Sequence, residues 1–161
     1  MARTLILGVG NPLMGDDAFG IRVVEALQGV ELPSDVDVVD GGTQGLGLVL
    51  VMEPYHRVII VDAVQMGLPA GTIRRFAWQD VQVNAGQVLS LHQSDLAAAL
   101  TLAEALGVLP PEVVIFGVQP HNTEWDQPMS AAVEHALPVL VHSLIDEVRR
   151  EDTYEPKSSD Y

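Results

Sequence analysis

Residues 4–20 read TLILGVGNPLMGDDAFG. The first six are apolar apart from Thr4 and Gly8, and a glycine, an asparagine and a proline follow them, which is typical of a short buried strand. From Asp17 to Leu27 the apolar residues fall at helical spacing, and Gly29 follows the end of that pattern. This stretch therefore predicts a strand, a glycine turn and a helix, with Asp16 or Asp17 as the helix cap.

The alternation of strand and helix patterns continues to the end of the chain. Further strands are predicted at 36–39, 58–62 and 113–118, with an extra strand or hairpin arm at 71–78. Further helices are predicted at 46–52, 94–106 and 129–148, the last with a kink or a restart at Pro138. This order predicts a single α/β domain over residues 1–150, with a mostly parallel central sheet and helices on both faces. Residues 151–161 are polar and lack periodicity, and they are predicted to be a disordered acidic tail.

The composition excludes several classes of function. The chain has 161 residues, with 22 acidic against 8 basic side chains and a net charge of −14. Such a surface repels phosphates, so nucleic acid and anionic membranes are not expected partners. The absence of cysteine excludes disulfides, thiolate metal sites and a cysteine nucleophile. No apolar run approaches the ~18 residues of a membrane span, and no signal peptide is evident, so we expect a soluble, cytoplasmic protein.

Three chemically notable side chains follow or flank the predicted strand ends. Asp17 follows the first strand, Asp62 ends the apolar strand at 58–62, and His92 precedes the helix at 94–106. In parallel sheets, sites form at the carboxyl ends of the strands. Two carboxylates and an imidazole from three loops would make an open site for a borderline metal such as Ni²⁺ or Zn²⁺. Structural roles stay open as alternatives: each aspartate could cap a turn, and a lone histidine is usually structural.

Other candidates carry less weight. His121 lies in a loop after the last strand and could line a site. The glycines at 8 and 10 suggest a dinucleotide loop, but Asp16 and Asp17 stand where a phosphate would bind the helix N-terminus and would repel it.

The motifs together resemble the [NiFe]-hydrogenase maturation endopeptidases. The resemblance rests on the stretch from Gly8 to Gly20 and on four later segments in the same order and spacing: Asp40-Gly41-Gly42-Thr43, Asp62-Ala63, Ser90-Leu91-His92-Gln93 and Gly117-Val118-Gln119-Pro120. It covers about the first 150 residues. It implies an α/β fold and an endopeptidase, aspartic-type or metal-assisted, that removes a C-terminal extension from the hydrogenase large subunit after nickel insertion.

The resemblance also implies the residues of the site. The family's metal-binding positions match Asp17, Asp62 and His92, which are therefore the predicted catalytic and nickel-binding residues. Asp16 and Asp40 are weaker candidates for the metal. The nickel is expected to arrive with the substrate, which is the large-subunit precursor.

Two other functions remain as alternatives. One is an independent metallohydrolase that acts on small molecules with its own tightly bound metal. The other is a non-catalytic nucleotide-binding α/β module.

Overall fold

The computed structural model describes residues 3–83 and 95–151, in which strands and helices alternate. The strands are β1 (Thr4–Val9), β2 (Val36–Gly42), β3 (Arg57–Ala63), β4 (Ile73–Ala77) and β5 (Glu112–Val118). The helices are α1 (Phe19–Leu27), α2 (Leu48–Met52), α3 (Trp78–Val83), α4 (Asp95–Ala105) and α5 (Ala131–Glu151). Single turns of 3-10 helix at Gly15–Ala18 and Gly45–Gly47 lead into α1 and α2.

The five strands form one sheet in the order β2-β1-β3-β5-β4. Strands β2, β1, β3 and β5 run parallel to one another, and β4 pairs antiparallel with β5 at the edge of the sheet. The carboxyl ends of the four parallel strands therefore open on one side, which we call the carboxyl edge. The loops after β1, β2, β3 and β5 all start there. This confirms the predicted α/β architecture with a mostly parallel sheet.

Helices cover both faces of the sheet. Leu5 and Leu7 of β1 point into a core formed with α2, α3 and α4, whereas Ile6 points into a core formed with α1 and α5. The alternation follows from the two-residue repeat of a strand. Because both faces are buried, β3 and β5 consist almost entirely of apolar residues rather than alternating with polar ones.

Gly20 sets the position of α1 against the sheet. A Cβ atom at this residue would meet the carbonyl oxygens of Val9 and Val61, and a Cβ atom at Gly8 would meet the carbonyl oxygen of Gly20. Backbone atoms cannot move aside as a flexible side chain can, so only glycine allows this close approach. The approach holds the start of α1, and the turn that carries Asp17, against the carboxyl edge.

Two predicted details are wrong. Helix α1 begins at Phe19 rather than Asp17, and neither Asp16 nor Asp17 caps it with a side-chain hydrogen bond, because both carboxylates bond elsewhere. Helix α5 runs unbroken through Pro138, so a restart at this residue is wrong, whereas the alternative of a kink stays a prediction. A proline inside a helix costs about 3 kcal/mol. Burial of four apolar side chains on one face of α5 offsets that cost: Val133, Leu140, Leu144 and Val148.

The remaining predicted elements match with small shifts. The extra strand at 71–78 is β4, on the edge of the sheet. Helix α3 was not predicted, because six residues are too few to show a periodic pattern. Helix α5 ends at Glu151, and residues 152–161, which make up the rest of the predicted tail, lie outside the described ranges, so the disordered tail stays a prediction. Within residues 3–83 and 95–151, no helix is long and apolar enough to cross a membrane.

Candidate active site

A small cleft opens at the carboxyl edge between the ends of β1, β2 and β3. Its volume is about 150 Å³. Apolar side chains and glycines form most of the described wall, and the ionisable side chains among the described lining residues are two carboxylates. The cleft is lined by Val9, Gly10, Asp17, Gly42, Thr43, Gly45, Leu48, Asp62 and Leu96.

Asp17 and Asp62 form the charged pair of this cleft. Loss of water raises the pKa of Asp62 well above its ordinary value, and repulsion from the charge of Asp17 raises it further. The backbone N–H of Ala63 donates to Asp62 and opposes the rise only in part. Burial also raises the pKa of Asp17. Perturbed carboxylates that share a cleft are typical of functional sites, because a structural carboxylate normally has its charge compensated.

The loop after β1 holds Asp17 at the cleft. The backbone N–H of Asn11 donates to Asp17 Oδ2 over 2.8 Å. Gly10 precedes it with φ of 134°, and a Cβ atom there would meet the carbonyl oxygen of Asp17. The glycine at this position therefore lets the loop fold back over the turn that carries the carboxylate. In nucleotide-binding α/β proteins, backbone N–H groups of this loop donate to a phosphate. Here the N–H of Asn11 donates to the Asp17 carboxylate instead, which argues against the nucleotide-binding alternative.

Asp16, the weaker metal candidate next in sequence, lies in a different environment. It is fully buried, and its two oxygens accept four hydrogen bonds. Oδ2 accepts from the backbone N–H of His121 at 2.7 Å, the N–H of Asn122 at 2.9 Å and the hydroxyl of Ser130 at 2.9 Å, and Oδ1 accepts from the Ser130 N–H at 2.6 Å. Burial by itself would raise the pKa of Asp16, but these bonds to the charged form lower it. Asp16 is a structural carboxylate that joins the turn at 15–18 to the segment after β5.

Gln119 is a second buried polar residue with a structural task. Its side-chain oxygen accepts from the N–H of Met66 at 2.7 Å and of Leu68 at 3.3 Å, and its amide donates to Gln65 at 2.9 Å. It thereby ties the loop after β3 to the end of β5. The sequence analysis singled out the segment from Gly117 to Pro120 as a motif, but the sequence did not indicate which groups the glutamine side chain binds.

The other candidates are dispersed. Asp40 is exposed, and its Oδ1 accepts from the Gly42 N–H at 2.8 Å, which stabilises the last residues of β2. The side chain of His121 is exposed, and its backbone bonds to Asp16. His92 lies outside the described residues. Among residues 3–83 and 95–151 no three acidic or histidine side chains form a cluster that could hold a metal, so the described part of the site offers two carboxylates.

The fold and the cleft define the class to which the chain belongs. It is an α/β domain with a carboxylate-lined site at the carboxyl edge of a parallel sheet, where such folds place their ligands. The chain is a member of the hydrogenase maturation proteases: the family model described as HycI hydrogenase maturation protease matches residues 21–147. It is therefore a peptidase of hydrogenase maturation.

Curated relatives agree with this assignment. The hydrogenase expression/formation protein HupD of Rhizobium leguminosarum is 36% identical over 146 residues, covering 89% of this chain and 72% of HupD. The hydrogenase 2 maturation protease of Escherichia coli K12 is 34% identical over 159 residues, covering 92% of this chain and 97% of that protein. Among solved structures, the hydrogenase maturating endopeptidase HybD of E. coli superposes with a TM-score of 0.81 at 32% identity, covering 92% and 93% of the two chains.

Proposed function

We propose that this peptidase removes a C-terminal extension from the large-subunit precursor of a [NiFe]-hydrogenase after nickel has been inserted. The observation that carries the proposal is the pair Asp17 and Asp62, whose carboxylates line one small cleft. Burial raises the pKa of both, and repulsion from Asp17 raises the pKa of Asp62 further. Among the described residues that line the cleft, none carries a positive charge that could pair with these carboxylates. A metal cation carried by the substrate would supply one.

The nickel is best understood as part of the substrate. Oxygen ligands suit a divalent metal, but two carboxylates, with His92 as a proposed third ligand, make an incomplete set that leaves positions open. The protease would then bind strongly only when the precursor contributes the metal and its remaining ligands. This arrangement discriminates filled from empty precursor by differential affinity.

The carboxylates also have a task in the hydrolysis. A water oxygen attacks the carbonyl carbon of the scissile peptide bond, and a carboxylate of the pair accepts the proton that the water loses. The C–N bond then breaks, and the carboxyl gives the proton that it took from the water to the leaving amine, so that the pair returns to its starting state. Asp62 is the preferred general base, because a carboxyl with a raised pKa is a stronger base than an ordinary aspartate. This assignment holds whether the water is activated by the carboxylate alone or with help from the metal.

A cleavage assay tests the proposal. Purified precursor prepared with and without nickel is incubated with the protease, and mass spectrometry follows the loss of a C-terminal peptide. We expect cleavage only of the nickel-loaded precursor, and no rescue of the empty precursor by zinc or magnesium added to the protease. Equal cleavage of both precursors would contradict nickel recognition, and cleavage of neither would contradict the proposed substrate.

Elemental analysis of the purified protease separates this function from the independent metallohydrolase. We expect less than a stoichiometric amount of bound metal, because two carboxylates and one imidazole bind a free ion weakly. The same cleavage assay on a chain truncated after Arg150 tests the proposed tail, which we expect to be dispensable for cleavage.

A further inference from the structure

The loops after β1 and β5 together present an exposed apolar rim beside the cleft. Its members are Leu13, which is 55% exposed, and Trp125, which is 63% exposed. An exposed tryptophan leaves a large apolar surface in water, and tryptophan is enriched among the residues that dominate binding energy at interfaces. We propose that this rim, Leu13 and Trp125, docks the precursor segment that leads into the cleft. The inference deepens the proposed function and rests on it.

A continuous chain of hydrogen bonds connects the rim to the cleft. The Asn11 N–H bonds to Asp17 at 2.8 Å, the Asn11 side-chain oxygen accepts from the Leu13 N–H at 2.9 Å, and the Leu13 carbonyl accepts from the Asp126 N–H at 2.8 Å. Only three such bonds separate the carboxylate in the cleft from the backbone next to Trp125. The rim therefore belongs to the same hydrogen-bonded loop structure that holds the Asp17 carboxylate at the cleft.

The segment that carries Trp125 is held in one conformation, although it contains no helix or strand between β5 and α5. The four hydrogen bonds to Asp16 fix it at residues 121, 122 and 130, and the bond from Asp126 to Leu13 fixes its middle. Asp126 has φ of 59°, a left-handed conformation that is uncommon for a residue other than glycine. Preorganisation of this kind reduces the entropy lost on binding, which favours a docking role for the tryptophan.

The charge around the rim defines the chemistry of the partner. The four loops at the carboxyl edge, residues 10–17, 40–47, 62–71 and 119–130, contain six carboxylates and no lysine or arginine. Arg22, in the first half of α1, is paired with Glu25 and Glu134. The complementary partner is a segment with an apolar side chain for the rim and a net positive charge, from basic residues or from its bound metal. A second copy of this chain, with its own net charge of −14, does not meet that requirement.

The test measures how the rim affects binding and turnover of nickel-loaded precursor separately. We expect Trp125→Ala to raise KM about 30-fold and Leu13→Ala about fivefold, with kcat within twofold of the wild type, because the contacts are made equally in ground and transition states. Trp125→Phe should recover most of the loss. Leu106→Ala is the matched control, because Leu106 is also an exposed apolar residue, with 61% of its surface accessible. It follows the C-terminal end of α4, whereas Leu96, at the N-terminal end of the same helix, lines the cleft. Leu106 is therefore about a helix length away from the cleft.

Higher ionic strength should raise KM for the wild type and for Leu106→Ala alike, because it screens the attraction between the acidic loops and the segment. A KM for Trp125→Ala within twofold of the wild type, or a fall in kcat alone, would overturn the inference. Dimers of the wild type that Trp125→Ala abolishes would assign the rim to self-association instead and would also overturn it. Circular dichroism confirms the fold of each variant.

Failure of the proposed function gives a different result. In that case the wild type cleaves no precursor, and calorimetric titration of precursor into the wild type and Trp125→Ala decides the role of the rim directly. Binding weakened by the variant supports docking, and equal binding or none contradicts it.

Discussion

Asp16 and Asp17 are neighbours in the chain, yet their carboxylates lie in opposite environments. Asp16 is fully buried, accepts four hydrogen bonds and has a lowered pKa. Asp17 is half-buried, accepts one bond from Asn11, faces the cleft with Asp62 and has a raised pKa. Buried polar groups are normally satisfied, so Asp16 has the features of a structural residue. Asp17 and Asp62 keep charge that the fold does not compensate, and they remain free to bind a cation or move a proton.

The largest expected effect is the loss of cleavage in Asp17→Asn. The amide oxygen can still accept the hydrogen bond from Asn11, so the fold should persist, but the negative charge is lost. We expect cleavage of nickel-loaded precursor to fall by about 10²- to 10⁴-fold, the range typical for a group that takes part directly in the reaction. Circular dichroism and thermal unfolding should match the wild type. Wild-type turnover by this variant would remove Asp17 from the mechanism.

The same chemical change one residue earlier should act on the fold instead. In Asp16→Asn the amide NH₂ must face at least one of the donors that now bond to Asp16, either the Ser130 N–H or the groups at His121 and Asn122. Hydrogen bonds to a charged group contribute about 1.5–3 kcal/mol each, so we expect the free energy of unfolding to fall by about 3 kcal/mol. Denaturant unfolding measures this. Unchanged stability would contradict the structural role of Asp16.

The sequence predicted most of the fold but not this division of roles. The apolar runs at 58–62 and 113–118 could be recognised as buried parallel strands, because covering both faces of a sheet leaves no polar position. The placement of Asp17 and Asp62 at strand ends followed from the same pattern. The pattern could not show that Asp16 is structural, because its partners, His121, Asn122 and Ser130, are more than 100 residues away in the chain. Tertiary contacts of that range leave no local pattern.

Asp62→Asn should have a smaller effect on stability, and in the opposite direction to Asp16→Asn. Burial and the charge of Asp17 disfavour the ionised form of Asp62, so a neutral amide of the same shape removes an unfavourable charge from the fold. We expect the free energy of unfolding at pH 7 to rise by about 1 kcal/mol, or Tm by about 2–4 °C for a domain of this size. Cleavage of precursor should be lost, as with Asp17→Asn. Marked destabilisation of Asp62→Asn would instead show that Asp62 is a turn cap.

The smallest expected effect is the pH dependence of that gain, and its sign follows from the two shifts. Asp62 has a raised pKa in the folded state, so its favourable contribution is complete below the ordinary aspartate pKa of about 3.9 and is lost as the pH rises through the folded value. The gain in Tm from Asp62→Asn should therefore be greatest near pH 7 and shrink as the pH falls. Asp16 has a lowered pKa in the folded state, so its contribution to the free energy of unfolding is present above about pH 3.9 and is lost only in stronger acid. Because Asp16 is unchanged in Asp62→Asn, this loss affects the wild type and the variant equally. Thermal unfolding of the wild type and Asp62→Asn at intervals from pH 7 to pH 4 measures the difference. A gain that stays constant over this range would mean that Asp62 titrates normally, and the contrast between the satisfied and the unsatisfied carboxylates would then rest on Asp17 alone.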